Sequence, residues 1–501
     1  MKNYTRRDFV GSAAKTVAAF MLSPILAHAM AKVPPKKKNI LFIAVDDLRP
    51  QLGCYGQKQI FSPNIDKLAA NGTLFENAYC QQAVCSPSRT SLLTGLRPDS
   101  TKVTDLHTFF RDTVPNVITM PQYFKNNGYY TESLGKIYHK QAMQDDKKSW
   151  SVPSKRAWGN GYWQTKENKE ICDKLIKDAD KKGLKGSERY YATLGPPTDD
   201  ANVPDNSYGD GVTTDQAIES LTKLAKSGTP FFLGVGFIKP HLPFSAPKKY
   251  WDLYKPENIK IPEQKKWPEN MPDVAKCNWG ELRGYYGMPK EGALTEKQTR
   301  KLIHGYYASV SYTDAQVGKV IKELDRLGLR DNTVIILWGD HGWKLGDYGA
   351  WCKHTNFEID THAPMIIDAP GYKKGQRTKA LVEFVDIYPT LSQLCNLPIP
   401  KHCEGKSMVP LLKNPNAKFK DAALSQWPKN GGKIMGYTMR TKDWRYTEWI
   451  NLKKNQIIGR ELYDHKNNSN ECVNLVNEAK HAAIVKELSI KLTKLRKKKA
   501  I

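Results

Sequence analysis

Three unbroken apolar runs stand out along the chain, at residues 39–45 (NILFIAV), 231–237 (FFLGVGF) and 333–338 (TVIILW). Runs this short, without polar alternation, are the pattern of parallel strands covered on both faces. Each stops at polar, potentially reactive residues: Asp46-Asp47, then Lys239-Pro-His241, then Asp340-His341. Ligands of open α/β sheets bind beyond the carboxyl ends of the strands, so a site is predicted at that edge. Between the runs, residues 64–71, 213–227 and 304–328 carry apolar positions at helical spacing. Strand and helix in alternation predict an α/β sandwich, a large mostly parallel central sheet between helices.

Two stretches break the rhythm. Residues 141–205 are rich in Lys, Trp, Tyr and Gly, and residues 261–292 carry Pro and Trp without periodicity. Long irregular insertions of this kind read as lids or binding loops. Residues 414–501 are Lys-rich, with a strand-like segment at 436–440 and a helical end, and read as a small C-terminal α+β subdomain. The predicted organisation is a leader at 1–31, a catalytic domain at 38–413 and this subdomain. A length of 501 residues with 40% hydrophobic content is enough for one large core and an appendage.

The leader reading rests on Arg6-Arg7, the apolar stretch 16–26 and the small residues Ala27, Ala29 and Ala31. A twin-arginine pair before a modest apolar run resembles a bacterial Tat signal, so an exported protein, periplasmic or secreted, is expected. The run is short for a membrane anchor, and no stable membrane span is expected elsewhere. The formal charge of +26 favours polyanionic partners, and the leader contributes little of it. No helix-turn-helix, zinc-finger or RNA-binding motif accompanies that charge, so nucleic acid is not expected and a sulfated or uronate-rich polysaccharide is. Nine cysteines without paired CxxC spacing exclude a zinc ribbon and a disulfide scaffold. Cys395 and Cys403 are near enough in sequence to pair across a short loop.

The most informative segment is Ala83-Val-Cys85-Ser-Pro87-Ser-Arg89-Thr-Ser-Leu-Leu-Thr-Gly95. Read as chemistry alone, a cysteine opening a helix four residues before an arginine is either an activated thiolate or a buried, inert thiol. Its skeleton, Cys-x-Pro-x-Arg followed by two apolar residues, Thr and Gly, resembles the signature of the type I, formylglycine-dependent sulfatases of the alkaline-phosphatase-like superfamily. The resemblance implies that fold. It also implies oxidation of Cys85 to formylglycine by a formylglycine-generating maturation enzyme, and a sulfatase activity. Hydrated formylglycine is a gem-diol: one hydroxyl attacks sulfur and expels the alcohol, and the other collapses to the aldehyde and ejects sulfate. A serine lacks that release.

By the same resemblance Asp46, Asp47, Asp340 and His341, with the oxygens at position 85, hold a divalent cation. Carboxylate oxygens suit Ca²⁺ or Mg²⁺, and the family favours calcium. His341 stands where most sulfatases have Asn, a feature of the iduronate 2-sulfatase branch. Asp46-Asp-Leu-Arg-Pro50, Thr94-Gly-Leu-Arg-Pro98-Asp, Gly135-Lys-Ile-Tyr-His139, Lys239-Pro-His-Leu-Pro-Phe244, His341-Gly-Trp-Lys-Leu-Gly-Asp347 and Trp351-Cys-Lys353-His-Thr-Asn356-Phe resemble that branch too. These matches imply that Arg89 contacts the formylglycine and that Lys136 and His139, three apart on one helical or turn face, bind sulfate. They also imply that His241 or Lys353 protonates the leaving alkoxide, a task to which histidine is suited.

The chain departs from the branch at His354, where an aromatic residue is usual, and over residues 141–205, so iduronate is not implied as its sugar. A phosphonate or phosphodiester hydrolase of the same superfamily is the alternative enzyme. A non-catalytic polyanion-binding protein is the alternative outside catalysis; it predicts a damaged centre, which this sequence lacks.

Overall fold

The computed structural model describes residues 37–140, 146–467 and 470–497, so the leader read at 1–31 lies outside the described residues. Central strand β1 (Asn39–Val45) is buried along its whole length. Its side chains alternate between two cores: Leu41, Ile43 and Val45 enter one, and Ile40, Phe42 and Ala44 the other. That two-sided burial is why the run is apolar at every position.

Six further strands complete the sheet: β2 (Thr73–Tyr79), β3 (Tyr130–Gly135), β4 (Phe231–Phe237), β5 (Thr333–Gly339), β6 (Met365–Asp368) and β7 (Gln376–Glu383). Their order is β7-β2-β6-β5-β1-β4-β3, and only β6 runs against the rest. The mostly parallel sheet is therefore present. The sequence pattern marked β1, β4 and β5 and not the other four. β6 is only four residues long, β2 carries Glu76 and Asn77, and the first half of β7 alternates buried and exposed positions as a sheet edge does.

Helices cover both faces. α4 (Gly209–Ser227) and α5 (Glu296–Arg326) pack in the first core, the latter opened by a Thr295–Gln298 capping box. α2 (Cys85–Thr94) and the helix Ile387–Leu394 pack in the second. The expected irregular insertion at 141–205 instead contains α3 (Lys166–Lys181), capped by Thr165, and a further helix, Gly186–Ala192. α3 buries only Cys172 and Ala179, a stripe too thin to register against its lysines.

The C-terminal region is a four-stranded antiparallel meander of Ala423–Lys429, Ile434–Arg440, Trp444–Asn451 and Gln456–Asp464, with helix Ala482–Lys497 on one face. It bonds to the 351–357 loop through Asn356, whose Nδ2 donates to the Gly436 carbonyl at 3.0 Å. All nine cysteines are free, so Cys395 and Cys403 do not pair. Among the described residues no helix is long and apolar enough to cross a membrane.

Candidate active site

Four neighbouring parallel strands, β5, β1, β4 and β3, end at the same edge, and each delivers part of one cluster. β1 runs into Asp46 and Asp47, β5 into Asp340 and His341, β4 into the loop holding Lys239 and His241, and β3 into Lys136. Asp46, Asp47, Asp340 and His341 are fully buried. The edge is tied by backbone bonds, Asp46 N–H to Phe237 O (3.1 Å), Asp340 N–H to Val45 O (3.1 Å) and Lys136 N–H to Gly236 O (2.8 Å). Asp47 adopts φ 57°, and its N–H donates to Asp340 Oδ1 at 2.9 Å. Departure from the strand conformation is what turns Asp47 away from the β1 direction.

Cys85 is the first residue of α2, and its Sγ lies 3.4 Å from His341 Nε2 and 3.9 Å from Asp47 Oδ1. Burial, with Asp46 adding to it, pushes the thiol well above its ordinary range. The activated-thiolate reading fails here, because the cost of an anion among carboxylates outweighs the helix N-terminus.

Arg89, one helical turn on, is fully buried and acts as a strut. Its Nε meets Asp340 Oδ2 and its Nη2 meets Asp46 Oδ1, each at 2.9 Å, while Nη1 donates to the carbonyls of Lys136 and Ile137. One guanidinium thus joins the ends of β5, β1 and β3, with four of its five N–H groups engaged. Lys136 Nζ lies 2.5 Å from Asp46 Oδ2. Burial opposes ionisation of Asp46, yet Lys136 and Arg89 hold its carboxyl well below the usual range. Asp47 goes the other way, pushed up by burial and by Asp46 against the pull of Lys353.

His341 Nδ1 faces the Gly342 carbonyl at 2.9 Å, so a hydrogen there leaves the Nε2 lone pair facing Asp47 Oδ1 (3.3 Å) and Asp340 Oδ1 (3.6 Å). Donor atoms of Asp47, Cys85 and His341 lie within 4.8 Å of one another, as do those of Asp46, Cys85 and Asp340. Buried carboxylates on two strand ends, with an imidazole nitrogen, fit a hard divalent cation.

Lys353 reaches the cluster from the 351–357 loop, its Nζ 3.0 Å from Asp47 Oδ2 and 4.6 Å from the Trp343 ring centroid. Residues on both sides of it have left-handed backbone, Cys352 at φ 65° and His354 at φ 86°. His241 is on the open side, 22% exposed, with Nδ1 2.6 Å from Leu242 O and Nε2 3.8 Å from Asp47 Oδ2. His139 follows Lys136 in a bend rather than a helix. Burial and Lys136 push its pKa down to about 2, which leaves the ring neutral.

All ten residues singled out in the sequence converge, Lys239 of the quoted Lys239-Pro-His241 tip lies with them, and two others, Glu281 and Asp210, were missed. Glu281, on the single turn Gly280–Arg283 inside the 261–292 insertion, bonds both Lys353 and His241. Nothing in that aperiodic stretch marks it. Lys239 donates to the His241 and Pro243 carbonyls, and burial lowers its pKa to about 8. Asp210 accepts from the N–H groups of Ile238 and Lys239 at 2.8 and 2.7 Å, and burial raises its pKa to about 6. Both shape the His241 loop. The quoted motifs also hold purely architectural residues: Arg49 Nη1 pairs with Asp347 at 3.0 Å, and Arg97 Nη2 contacts both Glu383 oxygens at 2.8 Å. His354, the departing position, is half-buried and packs against Trp427 of the C-terminal sheet, ring centroids 5.1 Å apart.

The family model described as Sulfatase matches residues 38–397, and that described as N-sulphoglucosamine sulphohydrolase, C-terminal, matches residues 346–498. Iduronate 2-sulfatase of Mus musculus is 36% identical over 90% of this chain and 93% of its own length. Among solved structures, one of a protein in complex with its substrate D-glucosamine-2-N,6-O-disulfate superposes with a TM-score of 0.73 at 22% identity, covering 92% of this chain and 98% of that one. A phosphonate monoester hydrolase of Agrobacterium radiobacter superposes with a TM-score of 0.71 at 21% identity, covering 92% and 95%. These structures share the fold, the alkaline-phosphatase-like sandwich.

Proposed function

The chain belongs to the sulfatase family of sulfuric ester hydrolases, and from that premise we propose that it removes sulfate from a sulfated carbohydrate with a formylglycine made from Cys85. The observation that carries this reading is the position of Cys85 at the helix start beside Asp47 and His341, where strand ends β1 and β5 meet. Residue 85 is the unconverted cysteine in this structure: its Cβ is the carbon that would bear the aldehyde or its hydrate, and its Sγ stands where one of the oxygens would be.

A sulfate monoester is an anion, so attack on its sulfur needs positive charge fixed in advance. Asp46, Asp47, Asp340 and His341 would hold the divalent cation, calcium by resemblance with magnesium also suited, together with the oxygens of converted residue 85. Bound there, the cation would supply Lewis-acid polarisation of the sulfate, and formylglycine a hydroxyl nucleophile with a built-in release of product. Arg89 keeps Asp46 and Asp340 at fixed separation, and its one N–H not engaged remains for the converted side chain. Lys136 faces the sulfate oxygens, with neutral His139 as a hydrogen-bonding partner. His241, on the open side, and buried Lys353 serve the oxygen that leaves with the sugar. Conversion of Cys85 requires a formylglycine-generating enzyme, and the leader directs export to the periplasm or medium.

Three observations support a carbohydrate substrate. The similar relative acts, by its name, on iduronate sulfate; the formal charge of +26 attracts polyanions; and the insertions carry exposed Trp158, Tyr190, Tyr191 and Tyr286. The phosphonate hydrolase shares the fold equally well, so the fold does not choose between sulfur and phosphorus. His341 and the Lys353 motif favour sulfur. The test is sulfate release from a panel of defined sulfated oligosaccharides, run beside a matched aryl sulfate and aryl phosphodiester. Peptide mass analysis of residue 85 accompanies it. Turnover of the sulfate esters, abolished in Cys85→Ala with the fold retained, is expected. Preference for the phosphodiester, or full activity with an unconverted thiol, overturns the reading.

A further inference from the structure

One carboxylate in the pocket has no task in the mechanism above. Glu281 Oε1 lies 3.1 Å from His241 Nε2 and 3.1 Å from Lys353 Nζ, and its Oε2 lies 2.8 Å from the same ammonium. A negative charge at the mouth of a sulfate pocket opposes binding of an anionic substrate, so this acid works against the site unless it does something else there. Its backbone is held for the purpose. The turn Gly280–Arg283 is anchored by fully buried Leu282, and Trp279 before it adopts φ 41° beneath the Arg283 guanidinium, 3.3 Å from the ring centroid.

The contacts define what that something is. His241 Nδ1 is committed to the Leu242 carbonyl, which leaves Nε2 as the nitrogen that reaches substrate. Lys353 Nζ is shared between Asp47 and Glu281. Asp47, the other carboxylate beside both groups, is read as a cation ligand. Glu281 gathers both at a common point, where it and His241 are each 22% accessible while the Lys353 ammonium stays buried. The left-handed backbone on either side of Lys353 shows that its placement is over-determined in the same way.

We propose that Glu281 is a positioning residue that holds His241 Nε2 and Lys353 Nζ together at the leaving oxygen of a sugar sulfate. The proposal rests on the sulfatase reading. It makes Glu281 matter when the leaving alkoxide is basic and needs a donor, and matter much less when the leaving group is an acidic phenol.

The experiment compares native protein, Glu281→Gln and Glu281→Asp, all with residue 85 converted, on a sugar sulfate and on nitrophenyl sulfate. Glu281→Gln is expected to lower kcat on the sugar sulfate by about 30-fold or more with KM moved less than about threefold, as loss of an oriented acid requires. Its loss on nitrophenyl sulfate should be at least about tenfold smaller, and Glu281→Asp should recover most of the sugar-sulfate rate. Equal losses on both esters, with or without a lower urea midpoint, would make Glu281 structural and overturn the proposal. A lower KM at unchanged kcat would make it only a competing counter-ion and overturn it as well. Native protein that hydrolyses neither ester removes the proposed sulfate-ester activity itself, and this inference with it.

Discussion

Replacing Arg89 by methionine tests whether the strand ends are held by charge. The side chains have similar volume, so the change removes the guanidinium while leaving most of the space filled. It deletes two charge-assisted bonds to fully buried Asp46 and Asp340 and two bonds to the carbonyls of Lys136 and Ile137. Breaking a buried ion pair on one side costs about 3–5 kcal/mol, because the acids are left dry and unpaired. Here two acids lose the same partner, so about 4 kcal/mol is a lower expectation than their simple sum, with Lys136 still compensating Asp46. Unfolding entropy near ~2 cal/mol/K per residue converts that into a thermal midpoint lowered by roughly 4 °C for a chain of this size. Urea and thermal unfolding should be followed by tryptophan fluorescence, with divalent cation titrated from a chelated state into the millimolar range. A cation bound among the same acids supplies part of the missing charge, so the deficit of Arg89→Met should shrink as calcium is added. Arg89→Lys, which keeps one charge and loses the fork, should fall between. A variant within about 1 kcal/mol of native, or a deficit indifferent to calcium, would refute both the strut and the cation site beside it.

Gly236→Ala should disable the site from behind: its Cβ would meet Lys136 O at 2.1 Å and C at 2.3 Å, so Lys136 must retreat from Asp46. Loss of sulfate release together with a lower melting point checks it; native activity would contradict the model of contact. Glu461→Gln should change stability only with pH. Burial raises this acid, which accepts from Trp449 Nε1 and Tyr463 OH, from 4.5 to about 7. A raised carboxyl contributes stability that is whole below pH 4.5 and is lost as pH climbs through 7, so the variant should match native at pH 4.5 and exceed it at pH 8. At ~1.4 kcal/mol per unit the gain is at most about 3 kcal/mol, read from urea midpoints at the two pH values. His241→Gln and Lys353→Met should each lower kcat on a sugar sulfate by roughly 100-fold without loss of bound metal, measured by elemental analysis of the purified variants.

Three of the seven sheet strands, the sheet edge and ten residues of the central cluster were legible in the sequence, because chemistry at a strand end leaves a local mark. An unbroken apolar run that stops at Asp46-Asp47 or Asp340-His341 announces a buried strand and its functional tip in one stretch of chain. The Cys85 segment carries its own resemblance. Edge strand Gln376–Glu383, which alternates buried and exposed positions over its first half, and the helix Lys166–Lys181, which buries only two residues, were not legible, since the apolar signal falls with burial.

Only the tertiary structure decided how those tips are wired. That Arg89 faces two carboxylates rather than one, that Cys85 is too deeply buried to be a thiolate, and that Asp46 and Asp47 shift in opposite directions all depend on charges brought in from distant strands. Glu281 is the clearest case. It lies in an aperiodic insertion and acquires its partners, His241 and Lys353, solely by the way the chain returns to the sheet edge. Periodicity records which face of an element is buried, but the strength of a Coulomb interaction depends on separation in space and on the dryness of the site, and neither is written in the order of residues.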